Sequence, residues 1–150
     1  MREAIRLARD KMRENAGGPF GAVIVRDGGI IARGWNQVTS ANDPTAHAEI
    51  MAIREACARL GSFRLDDCEI YASCEPCPMC LSAIYWARLR KVYFASTRAD
   101  AEAIGFDDET LYREVARPIE QRSLAMERLL DVEAMDVLTE WQKRPDKVRY

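Results

Sequence analysis

Three side chains of the types that bind transition metals stand at two places in the sequence. Cys77 and Cys80 are three positions apart directly after Pro76, and His47 is the single histidine of the chain. Residues at i and i+3 of a helix share one face, so both thiols can bind one ion. A helix N-terminus also lowers thiol pKa values and so favours the thiolate form. Two thiolates, one imidazole and an open position are the ligand set of a catalytic zinc site.

Glu49 follows His47 by two residues. On an ideal helix this spacing points the two side chains to nearly opposite sides, so Glu49 is not expected to be a second ligand. A carboxylate beside water at the open position of a metal can take a proton and deliver it to a substrate. Glu49 is therefore the candidate general base and acid.

Cys74 supplies the main alternative to a catalytic site. With His47, Cys77 and Cys80 it would complete a closed structural zinc site, and the protein would then be a zinc-stabilised interaction module that unfolds on chelation. Pro76 argues against this, because proline favours a helix start and so leaves Cys74 at the end of the preceding strand. An iron–sulfur cluster needs a fourth cysteine, and none follows Cys80.

Composition restricts the class of protein. The 150 residues are about one domain, and 48% hydrophobic with 31% charged residues is typical of globular chains. A formal charge of -2 disfavours a general binder of nucleic acid or anionic membranes. Five cysteines are an odd number and do not form a secreted disulfide framework. No apolar run approaches the roughly 20 residues of a membrane span, so we expect a soluble, cytoplasmic protein.

Hydrophobic periodicity predicts the elements that must position these side chains. The second helix is predicted to open at Asp43-Pro44 and to end at Gly61. The order of helices and strands predicts a mixed sheet covered on both faces. The predicted elements are a helix over 2–15, a hairpin over 21–32, a helix over 45–60, a strand over 68–73, a helix over 76–87, a strand over 91–95, a last strand within 124–132 and a helix over 133–143.

The chain resembles the cytidine-deaminase-like superfamily of zinc-dependent deaminases. His47-Ala48-Glu49 followed by Pro76-Cys77-Pro78-Met79-Cys80 matches its signature, and the likeness covers nearly the whole chain. It is greatest to the bacterial guanine-deaminase branch, through the runs at 17–22, 42–49 and 105–108 and the terminal Tyr150. The resemblance implies an α/β fold of three layers, α/β/α, with a five-stranded mixed sheet and a single domain over 1–150.

The resemblance also implies a reaction and a cofactor. One Zn²⁺ per subunit would be held by His47, Cys77 and Cys80. Guanine would be hydrolysed to xanthine and ammonia, a step of purine metabolism. Glu49 would pass a proton from water to the ring nitrogen and then to the leaving ammonia, and Asp108 would take part in proton transfer and recognition.

Four further substrate contacts are implied by the resemblance. Phe20 would pack near the ring, the Asn36 amide would donate to and accept from the base, the Ala48 backbone would help hold the water and amino group, and Tyr150 would close the site. Without the resemblance, Asn36 reads as a turn residue and Phe20 as core. Asp108 then reads as a solvated loop residue or a cap for a helix over 109–115.

The resemblance finally implies a homodimer. The C-terminal segment, about 133–150, would be exchanged with a partner subunit, so that Tyr150 would cover the neighbour's active site. Rival substrates remain open: guanosine, cytosine, an aminotriazine, or adenosine in tRNA. A tRNA enzyme requires a basic face, whereas Arg88, Arg90 and Lys91 form only a small cluster.

Overall fold

The computed structural model describes residues 1–149. Within this range the chain forms seven α-helices, four β-strands and one short 3₁₀ turn over Ile119–Gln121. In chain order they are α1 (Arg2–Arg13), β1 (Gly21–Arg26), β2 (Gly29–Trp35), α2 (Val38–Ala41), α3 (Ala48–Leu60), β3 (Cys68–Cys74), α4 (Pro78–Trp86), β4 (Lys91–Ser96), α5 (Arg98–Glu102), α6 (Asp108–Ala116) and α7 (Asp131–Lys143).

The four strands form one mixed sheet in the order β2-β1-β3-β4. β1 pairs antiparallel with β2 and β3, and β3 pairs parallel with β4 through a crossover that contains α4. The predicted α/β class, the hairpin and the strands at 68–73 and 91–95 are therefore confirmed. Each strand extends the prediction by one residue or a few.

The expectation of a five-stranded sheet is wrong for the described residues, where the sheet has four strands. The stretch over 124–132 forms no strand; it is irregular up to Leu130 and then enters α7. Leu124, Leu129 and Leu130 are all largely exposed. A strand needs a neighbour for its backbone N–H and C=O groups, and this stretch does not pair with the outer edge of β4. The apolar residues of this stretch are therefore not sufficient to make it a strand.

Glycines show how closely helices approach the two faces of the sheet. A side chain at Gly21 would overlap the carbonyl oxygen of Ala4 in α1, and one at Gly34 would overlap the carbonyl oxygen of Ala48 in α3. Gly34 pairs with Ala22, the neighbour of Gly21, so the two glycines face opposite sides. The helices α1 and α3 thus cover opposite faces, which gives the three predicted layers. The buried core lies mainly on the α3 and α4 side.

Both metal-binding helices begin later than the sequence predicted. α3 begins at Ala48 with His47 at its N-cap, because Asp43 accepts hydrogen bonds from the backbone and hydroxyl of Thr45 instead of capping the helix. α4 begins at Pro78 with Cys77 at its N-cap, so Pro78 and not Pro76 takes the first helical position. His47 and Cys77 are consequently extended residues at two helix starts.

The last helix, α7, is largely exposed on this layered body. α7 confirms the predicted helix over 133–143, yet it buries none of its residues. Trp141 and Val148 border an apolar groove of about 740 Å³ beside α3 and α4. Among residues 1–149, no helix combines the length and apolarity that crossing a bilayer requires.

Candidate active site

The starts of α3 and α4 bring the three predicted metal ligands together. The Nδ1 atom of His47 lies 3.6 Å from Sγ of Cys77 and 3.5 Å from Sγ of Cys80. Within residues 1–149, this is the one group of three or more His, Cys, Asp or Glu side chains whose ligand atoms all lie within 4.8 Å of one another. Both cysteines are buried and His47 is partly buried.

The spacing of these donor atoms fits zinc. Tetrahedral Zn–S and Zn–N bonds of ordinary length place sulfur and nitrogen ligands about 3.6 Å apart. The close contact with Cys80, together with His47, holds the pKa of Cys77 down at about 4. The same contact and burial raise the pKa of Cys80. One thiol is therefore ready to bind as a thiolate, whereas the other must lose its proton to the medium when a metal binds.

Cys74 stands outside this group. It lies at the end of β3, as predicted, and its thiol donates to the carbonyl oxygen of Thr97 at 3.5 Å. Its pKa is raised by burial, which keeps it in the thiol form. Three protein ligands without Cys74 leave the fourth position of a tetrahedral site open, and an open position is characteristic of catalytic zinc.

Glu49 lies in the first turn of α3 and is 7% exposed. Its Oε2 atom accepts from the thiol of Cys80 at 3.5 Å. Burial raises the pKa of its carboxyl group to about 7. A carboxyl with a pKa in this range both accepts and returns a proton near neutral pH, which is the property that acid–base catalysis needs.

A cavity of about 330 Å³ opens in front of the metal-binding group. The predicted residues that line it are Phe20, Asn36, His47, Ala48, Glu49, Cys77 and Asp108. Ala48 is the first residue of α3, where backbone N–H groups have no partner within the helix. Of the predicted site residues, Cys80 is fully buried and does not line the cavity, and Tyr150 lies outside the described residues.

Two hydrogen bonds to its side-chain oxygen hold Asn36 in place. Oδ1 accepts from the backbone N–H groups of Gly18 and Val38, each at 3.2 Å, and the residue is 6% exposed. These two bonds use both lone pairs of the oxygen and leave the amide N–H₂ to face a ligand. The turn interpretation is confirmed by these two bonds, and Asn36 also offers the cavity a donor, so that substrate binding by Asn36 stays a prediction.

Asp108 reaches the cavity from the first residue of α6. It does not cap that helix, since the N-cap position belongs to Asp107. Burial, followed by the nearby Cys77, raises the pKa of Asp108. Phe20 faces the same cavity and meets the ring of Phe106 edge to face, with ring centroids 4.7 Å apart.

Sequence reasoning assigned no role to Phe106 or Glu75, which also line the cavity. Phe106 adjoins the Asp107-Asp108 pair, and an aromatic residue beside two carboxylates was the signal available. Glu75 lies between Cys74 and Cys77, and its position beside two candidate metal ligands was the signal available. Its Oε2 atom accepts from the backbone N–H of Arg98 at 3.0 Å.

The family model for the cytidine and deoxycytidylate deaminase zinc-binding region matches residues 1–96 of the chain. The chain belongs to this deaminase family. That membership and the His47, Cys77 and Cys80 group together establish a zinc-dependent hydrolytic deaminase with one Zn²⁺ per subunit as its cofactor.

Relatives within the deaminase family differ in how much of the chain they match. Guanine deaminase of Bacillus subtilis (strain 168) is 49% identical over 150 residues, which is all of this chain and 96% of the relative. A solved structure of guanine deaminase from Bacillus subtilis superposes with a TM-score of 0.95 over 99% of this chain and 95% of that one. The tRNA-specific adenosine deaminase of Aquifex aeolicus (strain VF5) is 49% identical over 78 residues, or 52% of each chain.

Proposed function

We propose that this deaminase hydrolyses guanine to xanthine and ammonia. The extent of similarity carries the proposal, because the guanine deaminase of Bacillus subtilis matches all 150 residues whereas the Aquifex aeolicus tRNA deaminase matches 78. The zinc-binding region ends at residue 96, and α6, which contributes Asp108 to the cavity, lies beyond it. Residues beyond the zinc-binding region therefore distinguish the candidate substrates.

The polar groups of the cavity complement guanine. The base offers N–H donors on its ring and amino group, and the carboxylate of Asp108 accepts such donors. The free N–H₂ of Asn36 donates to an acceptor of the base, and the N–H of Ala48 is available to the water or the amino group. Phe20 and Phe106 provide apolar walls for a planar ring.

Glu49 carries the proton transfers in this proposal. Bound zinc supplies a Lewis acid that lowers the pKa of water. Glu49 takes a proton from the attacking water and delivers it to the ring nitrogen next to the carbon that bears the amino group. It then passes the second proton of the attacking water to the amino group, the C–N bond breaks and ammonia leaves, so one carboxyl serves as base and as acid. Asp108 assists by accepting from the base and by exchanging a proton with it.

The surface gives little support to a tRNA substrate. The cluster of Arg88, Arg90 and Lys91 is small, and Arg90 is paired with Glu69 at 2.9 Å. Lys91 lies over the ring of Tyr93. A phosphate backbone needs several free cations on one face, and the chain carries a formal charge of -2.

The test is ammonia release by zinc-loaded protein incubated separately with guanine, guanosine, cytosine and adenosine. We expect xanthine from guanine alone. Glu49→Gln should lose activity while retaining zinc, and Glu102→Gln, an exposed residue away from the cavity, is the matched control. Ammonia from a different base would overturn guanine as the substrate and keep the role of Glu49. No ammonia from any of the four would overturn this set of substrates.

We further propose a homodimer in which the single domain of residues 1–150 exchanges its C-terminal segment, about 133–150, with a partner. Support comes from α7, which buries no residue, and from the exposed Val137 and Leu138 on it. Tyr150 would cover the neighbour's cavity. Light scattering of the zinc-loaded protein measures the dimer directly, and a monomer would contradict it.

We place this activity in purine metabolism and in the cytoplasm. Guanine and xanthine are both purines. The five cysteines are all unpaired, which suits a reducing compartment. Fractionation of cells with an antibody to the protein tests the location.

A further inference from the structure

The helix that carries Asp108 is held mainly by polar contacts. α6 has no fully buried residue, and Leu111 and Val115 on it are about half exposed. Apolar burial therefore contributes little to fixing its position. Polar contacts of α6 must therefore hold Asp108 against the cavity.

Tyr112 supplies the first of these contacts. Its hydroxyl donates to the carbonyl oxygen of Pro76 at 2.8 Å. Pro76 immediately precedes Cys77, so this bond joins α6 to the loop that holds a zinc ligand. Asp108 and Tyr112 are four residues apart on the helix and therefore lie on the same face.

Arg98 supplies the second contact. Its guanidinium lies over the ring of Tyr112, 4.6 Å from the centroid, and its Nε donates to Glu109 at 2.8 Å. The backbone N–H of Arg98 donates to Glu75 at 3.0 Å. The backbone N–H of Glu75 in turn donates to the carbonyl oxygen of Ser96 at 2.8 Å. Hydrogen bonds and an ion pair thus connect the end of β4, the metal-binding loop (residues 75–77) and α6.

We propose that Tyr112 and Arg98 are positioning residues that fix Asp108 relative to the metal-binding loop. The inference rests on the proposed function, since it assigns how one residue of that site is held. Neither residue belongs to the cavity lining, so neither touches the substrate. Their effect on catalysis passes through Asp108.

The test compares Tyr112→Phe with Tyr71→Phe. Each variant removes one hydroxyl that donates a side-chain hydrogen bond, but Tyr71 donates to Glu69 on the sheet and does not line the cavity. We expect Tyr112→Phe to lower kcat/KM for guanine about three- to tenfold, the effect of one lost hydrogen bond. Tyr71→Phe should match the wild type, and zinc content should be unchanged in both.

A double-variant cycle separates positioning from general loss of structure. In an Asp108→Asn background, the further change Tyr112→Phe should have little additional effect, because the group it positions has already been altered. Arg98→Gln should behave in the same way. Full additivity of the two losses, or a loss of zinc in Tyr112→Phe, would overturn the inference.

Amide hydrogen exchange tests the positioning role without any measurement of enzyme activity. Tyr112→Phe should raise amide exchange in residues 108–116 and leave α1 unchanged. A wild type that releases no ammonia from guanine overturns the proposed substrate, and unchanged protection of residues 108–116 overturns the positioning role whatever the substrate is.

Discussion

At the scale of single residues, the amide of Asn36 uses its two ends differently. Its oxygen binds two backbone N–H groups, and its nitrogen remains for a ligand. Asn36→Ala leaves both N–H groups unpaired and should lower the free energy of unfolding by about 1–3 kcal/mol. Asn36→Asp keeps the acceptor and loses the donor, so we expect a smaller stability loss and at least a roughly tenfold rise in KM for guanine.

Thermal unfolding and steady-state kinetics of the two Asn36 variants check this prediction together. If both variants lost the same stability, the oxygen would not be holding the loop. If Asn36→Asp bound guanine as tightly as the wild type, the amide nitrogen would not contact the base.

The cysteines give a second prediction at this scale. Cys77→Ala should lose nearly all bound zinc and all activity, because two protein ligands remain of three. Cys74→Ala should keep one zinc per subunit, since its thiol faces the Thr97 carbonyl. Elemental analysis of the purified variants provides the measurement. Loss of zinc in Cys74→Ala would show that Cys74 is a fourth ligand and would favour the closed structural site.

The metal-binding residues could be predicted because their chemistry is local in sequence. Cys77 and Cys80 are close neighbours, and His47 is the one histidine. Phe106 and the oxygen bonds of Asn36 could not be predicted in the same way. Their roles depend on residues that only the tertiary structure brings near, Phe20 in one case and Gly18 in the other.

At the scale of elements, the close approach of α3 to β2 makes a third prediction. A side chain at Gly34 would overlap backbone atoms of Ala48 and Ala52, so α3 would have to shift. Gly34→Ala should cost about 1–3 kcal/mol of stability as an overpacking change. It should also reduce activity, because α3 begins beside His47 and carries Glu49.

Gly29→Ala is the matched control in the same strand. Its added carbon would meet its nearest neighbour, the carbonyl oxygen of Arg26, at 3.6 Å, an ordinary contact. Melting temperatures and guanine turnover of the two variants should therefore diverge. Equal melting temperatures would show that α3 tolerates displacement from the sheet.

Most element types could be predicted from periodicity, and the errors have local causes. The start of α3 was placed early because Asp43-Pro44 imitates a helix start, whereas Asp43 forms a turn with Thr45. The strand expected over 124–132 has the apolar residues of a strand and no neighbour for its backbone. Pairing is a tertiary property, and a single sequence does not contain it.

At the scale of the whole molecule, the apolar surface is unevenly distributed. Large hydrophobic side chains between Leu124 and Leu138 are more than half exposed, whereas Ile24 and Ile70 in the sheet are fully buried. Large apolar side chains that are exposed close together often mark interfaces. The stretch from Leu124 to Leu138 is therefore where the proposed contact with a partner subunit would lie.

Truncation tests this exchange and its link to specificity. Removal of residues 131–150 takes away α7 and the tail, so we expect light scattering to give a monomer with its zinc retained, since the three ligands lie before residue 81. Deletion of Tyr150 alone should preserve the dimer and remove only the cover that we propose for the cavity. Guanosine differs from guanine by a ribose, so both shortened proteins should begin to accept it. A truncated protein that stays dimeric and still rejects guanosine would place the dimer contact and the selectivity in the layered body instead.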